Sequence, residues 1–167
     1  MPEKQTLKRA RADKRAGKSP STQAGEFVRE EIHHVREGKH GARSTKQAIA
    51  IGLSKARHAG VKLPKPPRSA KASTKRSAAL ATRASHKHTR PSPRRARAVR
   101  QALKREGHGA ASRSALAAQA RQAARKRSAR SRRAAAQKAV RTKGPRVRHQ
   151  AAQKAARTRR RKAAAAA

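Results

Sequence analysis

The chain of 167 residues has no cysteine, tryptophan or tyrosine, and its only phenylalanine is Phe27. Without cysteine it can form neither a disulfide nor a thiolate metal site. Without Trp or Tyr it lacks the stacking platforms with which proteins commonly read the bases of single strands. These absences exclude a disulfide-stabilised scaffold and argue against sequence-specific recognition of RNA.

Acidic and large apolar side chains are also scarce. The chain has 7 Asp and Glu against 48 Lys and Arg, which gives a formal net charge of +41. Alanine supplies most of the apolar content, and such a composition is typical of chains that cannot bury a large core. No run approaches the ~20 apolar residues of a membrane span, and the first residues show no apolar segment of a secretory signal. We therefore expect one small ordered unit in a cytoplasmic protein.

Large apolar residues recur at a regular spacing only between residues 22 and 63. Val28, Ile32 and Val35 follow one another at i, i+4 and i+7, so they share one face of a helix. A hydroxyl at Ser21 or Thr22 can cap the start of this helix. Gly38 can then end it in the left-handed conformation.

A second helix is predicted directly after the first. Ser44 and Gln47 have the spacing of a capping box, and Ile49 and Leu53 continue the apolar stripe. Gly60 closes this helix. The two helices predict an αα-hairpin joined by a short loop.

The fold expected from the sequence is mostly α, with a small αα-hairpin and a long, largely disordered or conditionally helical tail. The tail has 32 Lys and Arg, many alanines and one acid, Glu106. Low complexity and high charge are typical of segments without a core of their own. The predicted organisation is a basic arm at residues 1–20, the hairpin at 21–63, a Pro-rich linker at 64–67 and the tail at 68–167.

Two local signals interrupt the tail. Ser92 and Pro93 have the arrangement of a helix start, with Gly107 as an end. Residues 135–142 and 151–158 resemble each other, and Gly144-Pro145 breaks the chain between them. Because like charges at i, i+4 oppose helix formation, we expect these helices to form only when phosphates neutralise the tail.

The hairpin resembles a family of small basic bacterial proteins of unknown function. The resemblance lies in residues 22–63, and its core is residues 46–57, which read KQAIAIGLSKAR. Members are sometimes labelled DNA-binding or plasmid-stabilisation proteins. The resemblance implies a bacterial source and a role in the nucleoid or in stress. It implies no catalytic residues.

The tail resembles the C-terminal tails of linker histones and bacterial histone-like proteins. The likeness lies in its Lys, Arg and Ala content and in Ser-Pro-basic punctuation at Ser92-Pro93-Arg94-Arg95. Arginine outnumbers lysine here, and its guanidinium fork suits phosphates and narrow minor grooves.

The candidate site is a set of cations for binding phosphates. Clustered Lys and Arg are the electrostatic signature of a nucleic-acid-binding protein. The predicted contacts are Lys8, Arg9, Arg11, Lys14, Arg15, Lys39, Arg43, Lys46, Lys55, Arg57, Arg94, Arg95, Arg97, Arg125, Lys126, Arg127, Arg132, Arg133, Arg159, Arg160 and Arg161.

Catalytic and metal sites are not expected from the sequence. The eight histidines have no cysteine partners and no spacing typical of zinc sites. A chain with so small a core has no evident pocket in which to enclose a triad or a carboxylate pair. We therefore predict neither an enzyme, nor a cofactor, nor a metal.

The leading hypothesis is non-sequence-specific binding of double-stranded DNA through phosphates, as a histone-like, nucleoid-associated protein. The alternative is an RNA-binding or ribosome-associated basic protein. A third reading is a hairpin that binds a protein partner while the tail localises it. Self-association through the hairpin is a further expectation, and binding to membranes is not expected, because the basic segments offer alanine where an amphipathic membrane helix needs larger apolar residues.

Overall fold

The computed structural model describes residues 2–87 and 92–165, which are mostly helical and fall into two units, 1–119 and 120–167. The described part has seven α-helices and one short 3₁₀ turn at Gly109–Ala111. The helices are α1 (Lys4–Arg15), α2 (Pro20–Arg36), α3 (Thr45–His58), α4 (Ala72–Lys87), α5 (Pro93–Lys104), α6 (Arg113–Arg125) and α7 (Ala129–Ala164).

The prediction of a small hairpin with a long disordered tail is wrong. The chain is 76% helical, and helices continue to residue 164. The tail is helical because alanine and arginine are among the strongest helix formers. Their helix propensity outweighs the repulsion between like charges at i, i+4. Serines also cap helices in this region: the Ser128 hydroxyl accepts the backbone N–H of Ser131 at 3.2 Å.

The α2–α3 hairpin is present in the first unit. Helix α2 begins at Pro20, and its cap is Ser19 rather than the predicted Ser21 or Thr22. At the start of α3 the Ser44 hydroxyl accepts the Gln47 N–H at 3.2 Å, as the capping box predicts. The Gln47 side chain instead accepts the N–H of Arg43 at 2.8 Å, so the reciprocal bond is displaced by one residue.

The hairpin is supported by other parts of the first unit. Helix α1 packs on α2, and α4 packs on α3. One apolar cluster joins α1 to the hairpin through Ala10, Ala24, Phe27 and Ala56. A second cluster joins the hairpin to the 3₁₀ turn through Ile32, Val35, Ala42, Ala48 and Ala111. Small alanines let these elements approach closely, which is how a chain with few large apolar residues builds a core.

The segment after α5 covers the loop between α2 and α3. A Cβ on Gly41 would overlap the Glu106 carbonyl group and would come within 2.8 Å of the Gly107 carbonyl oxygen. This part of the predicted tail therefore completes the core. Four hydrogen bonds join residues 103–111 to the hairpin. They run from Gly41 N–H to the Leu103 carbonyl (2.8 Å), from Ala42 N–H to the Gly107 carbonyl (3.0 Å), from the Thr45 hydroxyl to the Ala110 carbonyl (2.7 Å) and from Arg36 Nε to the Ala111 carbonyl (2.8 Å).

Helix α7 dominates the second unit. Gly144 has a φ of +61° and Pro145 follows it, so the helix is interrupted where the sequence predicted a break. The residues from Ala120 to Ala165 whose burial is described are exposed, apart from Gly144, which is partly covered. This helix therefore has no buried apolar face in its own unit.

Between residues 2 and 165, leaving aside 88–91, no helix has both the length and the apolar character that a membrane crossing needs.

Candidate functional site

The second unit is the most uniformly charged part of the chain. Residues 120–167 contain 18 Lys and Arg and no acid. The cations surround α7 rather than forming one stripe, and neighbours such as Arg157 and Arg161 at i, i+4 repel each other. A polyanion along the helix would relieve this repulsion. The predicted contacts Arg125, Lys126, Arg127, Arg132, Arg133, Arg159, Arg160 and Arg161 all have exposed side chains here.

Two helices of the first unit also present predicted contacts to solvent. Helix α5 exposes Arg94, Arg95 and Arg97 near its N-terminus. Helix α1 exposes Lys8, Arg9, Arg11, Lys14 and Arg15. Of these, the Arg9 guanidinium lies 3.7 Å from a Glu26 carboxylate oxygen. Such an exposed pair is weak and would exchange readily for a phosphate.

The cations of the hairpin are more engaged with the protein itself. Lys39 lies 3.1 Å from a Glu37 oxygen, and this pairing, which outweighs desolvation, raises the pKa of Lys39. Lys46 is exposed in the first turn of α3 and has no ion pair within the described residues. The remaining contacts are Arg43 Nε to Glu106 Oε1 (3.6 Å) and Arg57 to the Pro64 carbonyl (3.2 Å).

Lys55 is directed into the protein, toward two carboxylates of α2. Its Nζ lies 2.7 Å from Glu31 Oε2 and 3.1 Å from Glu30 Oε1. Burial lowers the pKa of Lys55, but the close contacts with the two carboxylates and their negative charges outweigh burial and raise it. Lys55 is therefore already neutralised, unlike the other predicted phosphate contacts on α3.

Glu30 is stabilised in its charged form. Burial raises its pKa, but bonds from the Thr6 hydroxyl, the Glu3 backbone N–H and Lys55 outweigh burial and lower it. A lowered carboxyl pKa contributes stability above the unfolded value of 4.5 that is lost at lower pH. The raised pKa of Lys55 contributes stability below 10.5 that is lost as the pH rises through the folded value. The cluster therefore stabilises the folded state most at pH values between these two limits.

Replacing Lys55 by methionine should destabilise the first unit by about 3–5 kcal/mol at pH 7, because two buried carboxylates lose their cation. The loss should shrink as the pH falls toward the carboxyl range, since a protonated acid needs no counter-charge. Urea unfolding followed by circular dichroism measures it. Lys46→Met, on the exposed side of the same helix, is the control and should change stability by less than about 0.5 kcal/mol. Equal effects of the two variants would contradict the internal role of Lys55.

Two histidines join this cluster, a grouping that the sequence analysis missed. One ligand atom each from Glu31, His34 and His40 lies within 4.8 Å of the others. The available signal was the i, i+3 spacing of Glu31 and His34, which places both on one face of α2. His40 comes from the loop, and only the folded hairpin brings it to them. Of the other histidines, His88 and the His86 side chain lie outside the described residues.

Comparison with known protein families finds a match to part of the chain. Residues 11–67 are similar to a family of unknown function, DUF6496. The match covers less than half of the chain and includes α2, α3 and the linker that follows. It agrees with the predicted resemblance to proteins of unknown function, and it does not support the DNA-binding label. No curated protein and no solved structure matches the chain.

Proposed function

We propose that this protein binds double-stranded DNA without sequence preference, as a histone-like, nucleoid-associated protein that neutralises phosphates. The observation that carries the proposal is the second unit, with 18 cations, no acid and exposed side chains along α7. The two helical parts of α7, with Gly144 between them, hold 36 residues together, which correspond to a summed length of about 54 Å at 1.5 Å per residue. A duplex carries one phosphate per ~1.7 Å of its axis, so phosphates are in excess over cations along this length.

The distribution of charge supports binding to the phosphate backbone rather than to bases. Base readout needs a few side chains held against a groove edge by a scaffold. In the described residues of the second unit, no element packs an apolar face against α7 to fix which side enters a groove. Cations on all sides can engage phosphates at any rotation of the helix. Affinity without sequence preference follows from this arrangement.

The alternative is binding to RNA or to the ribosome. Phosphates attract the same cations in either nucleic acid, so charge alone does not separate the two. Arginine inserts well into the narrow minor groove of DNA, whereas recognition of unpaired RNA uses aromatic stacking. With a single Phe and no Trp or Tyr, the chain is better suited to a DNA duplex. Phe27 is buried in the core and is not available for stacking.

Full-length protein should bind two DNA duplexes of unrelated sequence with affinities that agree within about threefold at one salt concentration. Specific binding proteins commonly prefer their site by at least ~10³-fold. The measurement is a fluorescence-anisotropy titration with labelled duplexes of equal length, after the protein has been freed of nucleic acid. A DNA duplex and an RNA duplex of the same sequence test the alternative. We expect the protein to bind the DNA duplex more tightly.

Two results would change the proposal. A preference of 100-fold or more for one DNA duplex would overturn the non-specific mode. Tighter binding of the RNA duplex at every salt concentration would favour the ribosome-associated alternative. Heparin, a polyanion without bases or grooves, gives the reference for binding by charge alone.

A further inference from the structure

Glu31 is the most deeply buried carboxylate in the described part of the chain, with a side chain only 1% exposed. Neither of its oxygens has a partner with hydrogen-bond geometry. The Lys55 ammonium lies 2.7 Å from Oε2, but the other oxygen, Oε1, faces His40 Nε2 at 3.2 Å. A buried carboxylate oxygen without a hydrogen bond destabilises the folded state. A proton or a cation between Oε1 and the imidazole would remove this destabilisation.

The contact of the other His40 nitrogen, Nδ1, shows which ring nitrogen carries the proton. Its Nδ1 lies 3.0 Å from the Gly41 carbonyl oxygen, which can only accept, so Nδ1 carries the proton. In the neutral ring Nε2 then has a lone pair directed at another lone pair on Glu31. Either a second proton on His40 or a cation between the two atoms removes this mismatch. A ring nitrogen fixed by a backbone carbonyl is the usual outer support of a metal-binding histidine.

His34 has a similar outer support. Its Nε2 lies 2.8 Å from Glu3 Oε1, and the imidazole is mostly covered. Carboxylate–histidine pairs of this kind orient the ring and raise the basicity of a ligand.

We propose that Glu31, His34 and His40 bind one divalent transition-metal ion, with Zn²⁺ as the best fit. Two imidazoles and one carboxylate with a fourth position for water are a ligand set that Zn²⁺ accepts. Ligand atoms about 2.0–2.1 Å from a tetrahedral metal are roughly 3.4 Å apart. The distance of 3.2 Å between the ligand atoms of Glu31 and His40 already fits. Because all ligand atoms lie within 4.8 Å of one another, the His34 nitrogen would have to move inward by at most about 1.4 Å.

The local charge also favours a cation. Three of the seven acids of the chain, Glu3, Glu30 and Glu31, meet here. Their cationic partners are Lys39, paired with Glu3 and also with Glu37, and Lys55, paired with Glu30 and Glu31. With neutral histidines and with Glu37 included, the cluster carries two net negative charges in a protein of net charge +41. Lys55 can hold Oε2 while Oε1 binds the metal, so the two cations do not compete for one oxygen.

The test titrates full-length, nucleic-acid-free protein with Zn²⁺ by calorimetry and with Co²⁺ by visible absorption. We expect one equivalent to bind in both titrations. His34→Gln and His40→Gln should each weaken binding by at least about 100-fold, since even outer-shell changes cost 10–100-fold. Glu3→Gln, which weakens the outer support of His34 and removes the ion pair with Lys39, should cost about tenfold. His33→Gln is the matched control, because His33 neighbours His34 on α2 but pairs with the exposed Glu37.

Zn²⁺ affinity of the control should stay within twofold of the unchanged protein. Failure of the unchanged protein to bind one equivalent would overturn the site. So would binding that survives both His34→Gln and His40→Gln, since scattered surface histidines would then hold the ion. Circular dichroism checks that each variant is folded. If a variant unfolds, NMR of the unchanged protein decides: Zn²⁺ must shift the ring signals of His34 and His40 and leave that of His33 in place.

Discussion

Removal of residues 120–167 should reduce the salt dependence of DNA binding by roughly eight units in the slope of log K against log salt. Each phosphate that the protein neutralises contributes about −0.9 to this slope. The segment holds 18 cations, on α7 and on the residues just before it, and a duplex that lies against one side of the segment can engage about half of them. Because affinity then falls by orders of magnitude at moderate salt, this is the largest effect that we expect for any change.

The cut after Gln119 follows the division of the chain into its two units. A cut after Pro67 would be a poor test, because it would also remove residues 103–111, which bond to the hairpin. Anisotropy titrations at four or more salt concentrations give the slopes. An unchanged slope in the shortened protein would remove the second unit from the mechanism.

A matched pair of full-length variants separates charge from length. Changing Arg157, Arg159, Arg160 and Arg161 to glutamine should reduce the slope by up to about 3.6 units, and the same four changes to lysine should leave it unchanged. Glutamine and lysine both favour helices, so neither set should disrupt α7. Equal slopes for the two sets would show that these four positions do not contact phosphates.

Gly41→Ala should destabilise the first unit by about 3 kcal/mol or more. The added Cβ would overlap the Glu106 carbonyl group, which is backbone and cannot rotate away. Overpacking of this kind commonly costs 1–3 kcal/mol, and separating the two segments would also break the bonds from Gly41 to Leu103 and from Ala42 to Gly107, each worth about 1 kcal/mol. Because the chain lacks Trp and Tyr, urea unfolding must be followed by far-ultraviolet circular dichroism.

Gly25→Ala is the control for this substitution. Gly25 lies inside α2 with no atom within 4 Å of an added Cβ, so alanine should stabilise the helix by about 0.5–1 kcal/mol. The two variants make the same chemical change and should have opposite signs. If Gly41→Ala unfolds at the urea concentration of the unchanged protein, the packing of residues 103–107 on the loop is absent in solution.

The hairpin could be predicted because its signals are local. The spacing of Val28, Ile32 and Val35 and the cap at Ser44 each lie within one or two helical turns, and the structure contains them. The Ser92-Pro93 helix start and the Gly144 break were found for the same reason. Local signals specify where helices begin and end even in a low-complexity sequence.

The error about the tail came from treating scarce large apolar residues as evidence of disorder. Alanine packs closely enough to build a core around Ala48 and Ala111, and these contacts join residues far apart in the chain. The Glu31–His34–His40 cluster was missed for a related reason, because His40 reaches the others only through the fold of the loop. The cations on α7 could be listed from the sequence, whereas the internal role of Lys55 could not.

The bonds between the α2–α3 loop and residues 103–111 also fix an order of assembly during synthesis. A growing chain that has released the hairpin from the ribosome still lacks the partners of Gly41 and Ala42, which lie about fifty residues beyond the end of α3. Closing so long a loop costs little more free energy than closing a shorter one, but contacts distant in sequence form late and slow folding. The core of the nascent hairpin therefore stays incomplete at first. It is completed only after the 3₁₀ turn has emerged and packed against the hairpin.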